Sequence, residues 1–218
     1  AQVDQALFRE DTEIELVRLS LFDGQIRIHN LRVPNRDGWQ EKYLLEVEEI
    51  QGKLDAWAFL RSWVSGALEI RSSELKIVRP QLTVERVLRD GRPATNLDDI
   101  LARYTEGEPV TYPFDLRLGA LETSVSVEHG LVRLRDEYTR VGESCLEELA
   151  LRLDQQGFGR KLDFDLSANA CMRPRGEEGT RPAGRLELRG AFQLINRDGM
   201  VAPEDIGEGD AKLTLTRF

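Results

Sequence analysis

The 218-residue chain lacks several features that mark particular protein classes. It has no basic excess, because 39 acidic residues outnumber 30 basic ones and the net charge is −9. A nucleic-acid-binding surface needs a basic patch, so nucleic acid is not expected as a partner. No run approaches the roughly 20 apolar residues that cross a bilayer as a helix, and the opening AQVDQALFRE does not have the pattern of a signal peptide.

Signatures of the common enzyme classes are absent as well. The sequence has no phosphate-binding GxxxxGK[ST] loop, no HExxH motif and no GxSxG nucleophile turn. His29 and His129 have no matching Cys/His cluster, so neither is interpreted as a metal ligand. Asp163 and Asp165 alternate with apolar residues, which is typical of a solvated strand face rather than of a catalytic carboxylate pair. We therefore expect no catalytic residue, metal site or cofactor, and a hydrolase is the weakest functional hypothesis.

What the sequence has in abundance is strand-like alternation. In KLDFDLSANACM (161–172) the even positions are apolar and the odd positions carry the polar and charged residues. This pattern predicts a strand with one polar and one apolar face. Similar patterns predict strands at 13–19, 24–33, 44–54, 67–72, 74–79, 81–86, 114–118, 123–128, 131–136, 149–154, 185–194 and 212–218. In 24–33 the apolar positions change phase, which predicts a β-bulge near His29 and Asn30, whereas Asp-Gly pairs and the His-Gly pair at 129–130 predict turns.

Cys145 and Cys171 flank the predicted hairpin formed by the strands at 149–154 and 161–172. Pairing Leu151 with Leu166 aligns the apolar faces of the two strands but leaves the cysteines on opposite faces. A bulge at 147–148, which is indicated by Leu146 and Leu149 being out of phase, would bring the cysteines opposite each other. A disulfide there would stabilise the fold by about 2–4 kcal/mol in an oxidising compartment, and two free buried thiols are the alternative.

Two segments have helical patterns. DAWAFLRSWVSG (55–66) begins with an aspartate N-cap and ends at a glycine, and NLDDILARYTEG (96–107) has Asn96 as its N-cap. The polar segment RPRGEEGTRPAG (173–184) predicts a mobile hairpin loop. No linker-like stretch divides the chain, so residues 1–218 are expected to form a single domain.

The apolar faces of the predicted strands must be shielded from water, and the pattern allows two arrangements that do so. About twelve strands carry one apolar face each, whereas only two short helices are predicted. The first solution is a closed β-sandwich or barrel, in which the sheet folds on itself and buries the apolar face. The second is a highly curved antiparallel sheet that forms an open, taco-like groove, whose inner face contacts lipid. Alternation by itself does not distinguish the two.

Three stretches, taken in order, resemble one protein family. GQIRIHNLRVPNRDGW, LLEVEEIQGKLDAWAFL and ALEIRSSELKIVRPQLTVERVLRDGRPATNLDDIL are similar to the N-terminal region of the AsmA-like envelope proteins. The matching positions are Asn30, Leu31, Val33, Asn35, Leu44, Leu45, Leu54, Asp55, Pro80, Gly91 and Asn96. The later stretches LETSVSVEHGLVRLRDEYT, KLDFDLSANACM and GRLELRGAF resemble the strands that follow in the same family. The similarity therefore covers most of the chain.

The resemblance implies a role in lipid traffic. AsmA-like proteins resemble the chorein and TamB type of repeating β-groove protein, which are thought to carry phospholipids across aqueous gaps between membranes. By this resemblance the chain is a periplasmic N-terminal groove domain of a longer protein, anchored to the inner membrane by a segment outside this sequence. It would bind phospholipid acyl chains and contribute to intermembrane lipid transport and outer-membrane biogenesis.

The apolar members of the alternating strands are the groove candidates, and a trough of twelve strands would be about 55 Å long. These candidates are Ile26, Ile28, Leu75, Ile77, Leu82, Val84, Leu116, Leu118, Val125, Val127, Leu162, Phe164 and Leu166. The alternative function is a structural or protein-interaction β-domain of the envelope that binds no lipid. Such a domain would pair through its strand edges with another copy or with the rest of the parent chain.

Overall fold

The structure, a computed structural model, describes residues 12–20, 23–54, 67–70, 72–89, 91–98, 115–118, 122–137, 142–156, 161–174, 176, 179–194 and 206–217. Most of these residues lie in twelve β-strands. The strands are β1 (Glu13–Ser20), β2 (Gln25–Pro34), β3 (Tyr43–Leu54), β4 (Ala67–Ile70), β5 (Ser72–Arg89), β6 (Arg92–Thr95), β7 (Asp115–Leu118), β8 (Glu122–Asp136), β9 (Gly142–Gln156), β10 (Lys161–Arg173), β11 (Arg181–Leu194) and β12 (Ile206–Thr216). The predicted helix at 55–66 lies outside the described residues, as does the part of the second predicted helix from 99 to 107.

Ten of the strands form one open sheet. Nine of them follow one another in the order β1-β2-β3-β5-β8-β9-β10-β11-β12, and β6 pairs with the end of β5. Within this sheet β5 and β8 run parallel, whereas the other neighbouring strands are antiparallel. The mostly β prediction is therefore confirmed, and the sheet does not close into the alternative sandwich or barrel.

The main sheet is narrower than the strand count predicts. β4 and β7 leave it and form a separate parallel pair, and β6 continues beside β5 without widening the path. Nine strands at a spacing of about 4.8 Å span about 38 Å rather than about 55 Å. Periodicity identifies strands but does not say which sheet each one joins.

Two predicted breaks lie inside long strands. β5 passes through Pro80, and β8 passes through His129 and Gly130, so each of two predicted pairs of short strands is one continuous strand. The His-Gly pair was wrong as a turn because a bulge uses the same left-handed backbone conformation as many turns. The predicted loop at 173–184 is also shorter, since β10 extends to Arg173 and β11 begins at Arg181.

A line of left-handed residues crosses the sheet. Asn30, Arg79, His129 and Glu148, which we call the bulge line, have a left-handed backbone with φ of 51°, 48°, 53° and 49°. The register places them next to one another across β2, β5, β8 and β9, with Glu48 of β3 between the first two. The predicted bulge at 147–148 is confirmed, because the register of β9 with β10 shifts there by one residue. The bulge predicted at Asn30 was wrong: the backbone is left-handed there, but the register of β2 with β1 and β3 continues without an extra residue. The left-handed backbone at Arg79 and His129 was not predicted.

The bulge line keeps the apolar residues on one face. In β2, Ile28 precedes Asn30 and Leu31 follows it, and Ile28 and Leu31 pair with Ile50 and Val47 of β3. The left-handed backbone at Asn30 changes the alternation by one position, so apolar residues with even numbers before it and odd numbers after it share a face. The phase change in the sequence therefore preserves a single apolar face.

One buried side chain completes the edge of β5. Residues 83–85 lie between the part of β5 that pairs with β3 and the part that pairs with β6. The Asn96 side chain fills this gap, because its Oδ1 accepts a hydrogen bond from the Glu85 N–H (2.9 Å) and its Nδ2 donates to the Thr83 carbonyl (2.8 Å). A side-chain amide offers the same donor and acceptor as a peptide group. Asn96, which is 1% exposed, therefore takes the place of a strand.

Asn96 is not the predicted N-cap. Residues 96–98 are helical, and the cap is Thr95, whose Oγ1 accepts from the Asp98 N–H (3.2 Å) while the Asp98 carboxylate accepts from the Thr95 N–H (2.9 Å). This reciprocal pair is a capping box. Thr and Asn both suit an N-cap. Because the Asn96 amide is bonded to the open edge of β5, Thr95 becomes the N-cap.

The loop between β2 and β3 is hydrogen-bonded to Asn96 and to Glu85 of β5. Asn96 Nδ2 donates to Asn35 Oδ1 (3.1 Å), so two positions of the AsmA-like pattern are in contact. The Glu85 carboxylate, on a residue only 3% exposed, accepts from the N–H groups of Gln40 (2.9 Å) and Glu41 (2.7 Å). These bonds hold the loop against β5, next to the start of β3.

Candidate functional site

The candidate site is the apolar face of the main sheet. One row of directly opposed residues crosses all nine strands of the path, and every member is Val, Ile or Leu. The members of this central row are Val17, Ile28, Ile50, Ile77, Val127, Leu151, Leu166, Leu188 and Leu213. Directly opposed residues share a face of the sheet, so the row is a continuous aliphatic stripe.

A second row lies two residues along each strand, further from the bulge line. Its members are Leu19, Ile26, Gly52, Leu75, Val125, Leu153, Phe164, Gly190 and Ala211. Larger neighbours fill the places of two glycines: a Cβ at Gly52 would lie 2.7 Å from Ile26, and one at Gly190 would lie 2.8 Å from the Phe164 ring. The stripe therefore keeps an apolar surface where the row has no side chain.

The apolar face continues beyond the bulge line. A third row contains Val33, Leu45, Leu82, Val132, Leu146 and Ala170. Val84 and Leu134 lie two residues further along their strands. Apolar rows therefore flank the bulge line on both sides.

The face is only partly covered. None of the nine central-row residues is fully buried, and its end members Val17 and Leu213 are 46% and 57% exposed. The interior of a sandwich would bury such side chains against a second sheet. The fully buried apolar residues among those described are instead few, namely Leu31, Leu44, Val47, Cys145, Leu162, Ala168 and Cys171.

Most predicted groove residues come together on this face. Ile28, Ile77, Val127 and Leu166 lie in the central row; Ile26, Leu75, Val125 and Phe164 lie in the second row; and Leu82 and Val84 lie beyond the bulge line. Leu162 pairs with Phe192 and is buried. Leu116 and Leu118 belong to β7 of the separate parallel pair, and their side chains lie outside the described part of the chain.

Sequence reasoning missed five of the nine central-row residues. All five lie in strands that were predicted, but they were not selected as groove residues, namely Val17, Ile50, Leu151, Leu188 and Leu213. The same alternation that identified Val127 was available for them. What only the strand register shows is that these residues lie next to one another in one row.

The opposite face carries ion pairs. Bulge-line residues contact acidic side chains of adjacent strands in the pairs Asn30–Glu15, Arg79–Glu48 (2.8 Å) and His129–Glu148 (2.6 Å). Asp165 pairs with Arg189 at 3.0 Å, which fits a solvated strand face. Exposed pairs of this kind contribute little to stability, so this face makes the sheet compatible with water rather than forming a site.

A disulfide joins Cys145 and Cys171. The residues are directly opposed in β9 and β10, with Cα atoms 5.0 Å apart, because the bulge at Glu148 shifts the register as expected. The Glu147 carboxylate lies nearby, but the sulfurs are bonded to each other and are not free to bind a metal.

A charged cluster lies near the disulfide. Burial by itself raises the pKa of Glu143, yet hydrogen bonds from Arg173 and Arg135 outweigh burial and hold that pKa below its ordinary value. For Arg135, burial lowers the pKa, but its bonds to Glu143 and Glu41 raise it overall. The cluster favours the charged forms of its members, and it is a structural network rather than a poised acid or base.

Depressions in the described surface are shallow. Three have volumes of about 180, 210 and 350 Å³ and are lined chiefly by Gln, Glu, Lys and Arg. None has the apolar lining typical of a small-molecule pocket. Within the described residues, no helix is long and apolar enough to cross a bilayer.

No protein-family model matches the chain, and no curated protein sequence matches it.

Proposed function

We propose that the apolar face binds phospholipid acyl chains, and that the protein contributes to phospholipid movement between membranes and to outer-membrane biogenesis. The central row carries this proposal, because it places nine aliphatic side chains in nine adjacent strands and leaves none of them fully buried. The resemblance to AsmA-like proteins supports the same function. No catalytic residue is needed, since the ligand is held by apolar contact alone.

The bulge line favours a groove. Bulges bend strands and increase their twist, and the bulges at His129 and Glu148 lie in one line with the left-handed residues Asn30 and Arg79, with apolar rows on either side. A bend along this line brings two apolar walls toward each other. An open, taco-like groove is the shape that such a bend produces.

Size and energetics suit an acyl chain. The central row is about 38 Å long, and half of a bilayer's hydrocarbon core is about 15 Å thick, so two extended chains fit end to end. Burial is worth about 0.8 kcal/mol per methylene, so exposing a chain of about 14 methylenes to water costs roughly 11 kcal/mol. A continuous aliphatic stripe removes most of this barrier without tight binding, because the lipid moves from one apolar environment to another.

The disulfide supports the proposed periplasmic location. Disulfides persist in oxidising compartments such as the periplasm, and the bond between Cys145 and Cys171 is compatible with this location. The AsmA-like resemblance adds an inner-membrane anchor in the full-length protein.

Native mass spectrometry of the gently purified chain, followed by lipid extraction, tests the proposal. We expect mass increments that match phospholipids and that disappear in Val127→Asp, which places a carboxylate in the middle of the central row. The matched control is Ser126→Asp on the adjacent residue, which faces the polar side between Lys76 and Arg152. The control should retain the lipid.

A photo-crosslinking amino acid at each position keeps the test valid if Val127→Asp fails to fold. Crosslinks to phospholipid at residue 127 but not at residue 126 would support the proposal. A lipid-free mass, together with cooperative unfolding and no crosslink at either position, would refute it. The interaction domain without lipid would then be the better hypothesis.

A further inference from the structure

The outer edge of β12 is open. β12 ends the strand order, and each residue from Gly209 to Arg217 is exposed. Leu213 and Leu215 are 57% and 69% exposed on the apolar side of this edge. An edge strand presents unpaired N–H and C=O groups that favour pairing with another strand.

The sequence of β12 is complementary to itself. When two copies of the 11-residue strand overlap fully and run antiparallel, Ala211 lies opposite Ala211 of the second copy. In this register Asp210 faces Lys212 of the other copy, twice, and Gly209 faces Leu213, also twice. Opposite charges that face each other directly stabilise cross-strand pairs. Within the described residues neither Asp210 nor Lys212 has another ion-pair partner.

The other edge of the sheet lacks this property. Two antiparallel strands from identical chains, related by a twofold axis perpendicular to the sheet, must be centred on a residue. In β1, centring on Val17 places Arg18 opposite Leu16, and centring on Leu16 places Arg18 opposite Ile14. Neither register pairs opposite charges, so self-association through β12 is favoured over β1.

We infer that the partner of the β12 edge is a second copy of this chain. The two copies pair their β12 strands antiparallel about Ala211 and form a twofold dimer with one sheet across both chains. Because the twofold axis is perpendicular to the sheet, the apolar faces of both copies lie on the same side. The second row then continues from one chain into the other through Ala211. The dimer does not depend on lipid, so it goes beyond the proposed function.

Sedimentation equilibrium over a concentration series tests the dimer, with an expected limit of twice the 24.8 kDa chain mass. Lys212→Asp places a carboxylate opposite Asp210 of the other copy, and Asp210→Lys places two ammonium groups together. Each substitution should weaken the dimer at least tenfold, because like charges directly opposed are destabilising. Arg92→Asp, which makes the same charge change on exposed β6, is the control and should leave the dimer unchanged.

Charge exchange tests the register itself. Mixing the Lys212→Asp and Asp210→Lys chains pairs one acidic with one basic residue at each of the two contacts. The mixture should therefore form a heterodimer, although neither chain should dimerise alone. The double variant carrying both substitutions should recover the homodimer. A wild-type chain that remains monomeric would overturn the inference, as would a dimer that both single variants leave intact.

Discussion

Asn96→Ala should remove the side chain that completes the edge of β5. Asn96 makes hydrogen bonds to the Glu85 N–H, the Thr83 carbonyl and Asn35 Oδ1, at 2.9, 2.8 and 3.1 Å. A buried hydrogen bond contributes about 1 kcal/mol net, and a backbone group left without a partner costs a further 1–3 kcal/mol. Water entering the vacated space would satisfy part of this loss. We therefore expect the free energy of unfolding to fall by about 3–5 kcal/mol.

Urea denaturation followed by circular dichroism measures this change. With a slope of about 2–3 kcal/mol per molar urea, the midpoint should fall by about 1–2 M. Leu97→Ala is the matched control, because its neighbouring side chain is 37% exposed and its truncation should cost less than about 1 kcal/mol. A loss below about 1 kcal/mol for Asn96→Ala would refute the view that this amide replaces a strand.

Three further predictions concern the charged cluster, the disulfide and the bulge line. The pKa of Glu143 is lowered in the folded state, so ionised Glu143 adds to the free energy of unfolding. This contribution is complete above the ordinary pKa of 4.5 and is lost as the pH falls through the folded-state pKa. Glu143→Gln should therefore flatten the acidic part of a plot of the free energy of unfolding against pH. Reducing the Cys145–Cys171 bond, which spans 26 residues, should lower the free energy of unfolding by about 3–4 kcal/mol in urea denaturation, and an unchanged midpoint would contradict its stabilising role. Glu148→Gly should change the free energy of unfolding by less than about 1 kcal/mol, whereas Glu148→Val should lower it by about 1–3 kcal/mol. The reason is that glycine adopts the φ of 49° at this position without strain, whereas valine does not. Equal melting temperatures for the two variants would contradict the view that position 148 needs a left-handed backbone.

Alternation predicts strands well because it is a local property. The apolar face of β10 is visible in twelve consecutive residues, and most strands were found in this way. β6 was missed, since Arg92–Thr95 has no alternation and is a strand only because the end of β5 needs a partner. The breaks predicted inside β5 and β8 were wrong because a left-handed residue has the same local signal in a bulge and in a turn.

The disulfide shows what a phase argument can predict. The out-of-phase leucines around 147–148 indicated a bulge, and that bulge places Cys145 opposite Cys171. Asn96 shows the converse. Its sequence context suits a helix N-cap, but the empty place beside residues 83–85 is created by strands that are distant in sequence.

Sheet membership also lay beyond the sequence. Leu116 and Leu118 alternate as regularly as Val125 and Val127, yet β7 pairs with β4 while β8 joins the main sheet. Pairing between distant strands depends on which edges remain open after the others have formed, and a local pattern contains no information about that competition.

The sequence by itself determined that the chain is mostly β, that its strands have one polar and one apolar face, and where the bulge in β9 lies. These properties follow from the alternation of side chains along a strand. The tertiary structure decided which strands are neighbours, and therefore that the separate apolar positions become one aliphatic stripe across nine strands. The physical reason is register: a stripe exists only when residues from different strands are directly opposed, and register is set by hydrogen bonds between strands rather than by any one of them.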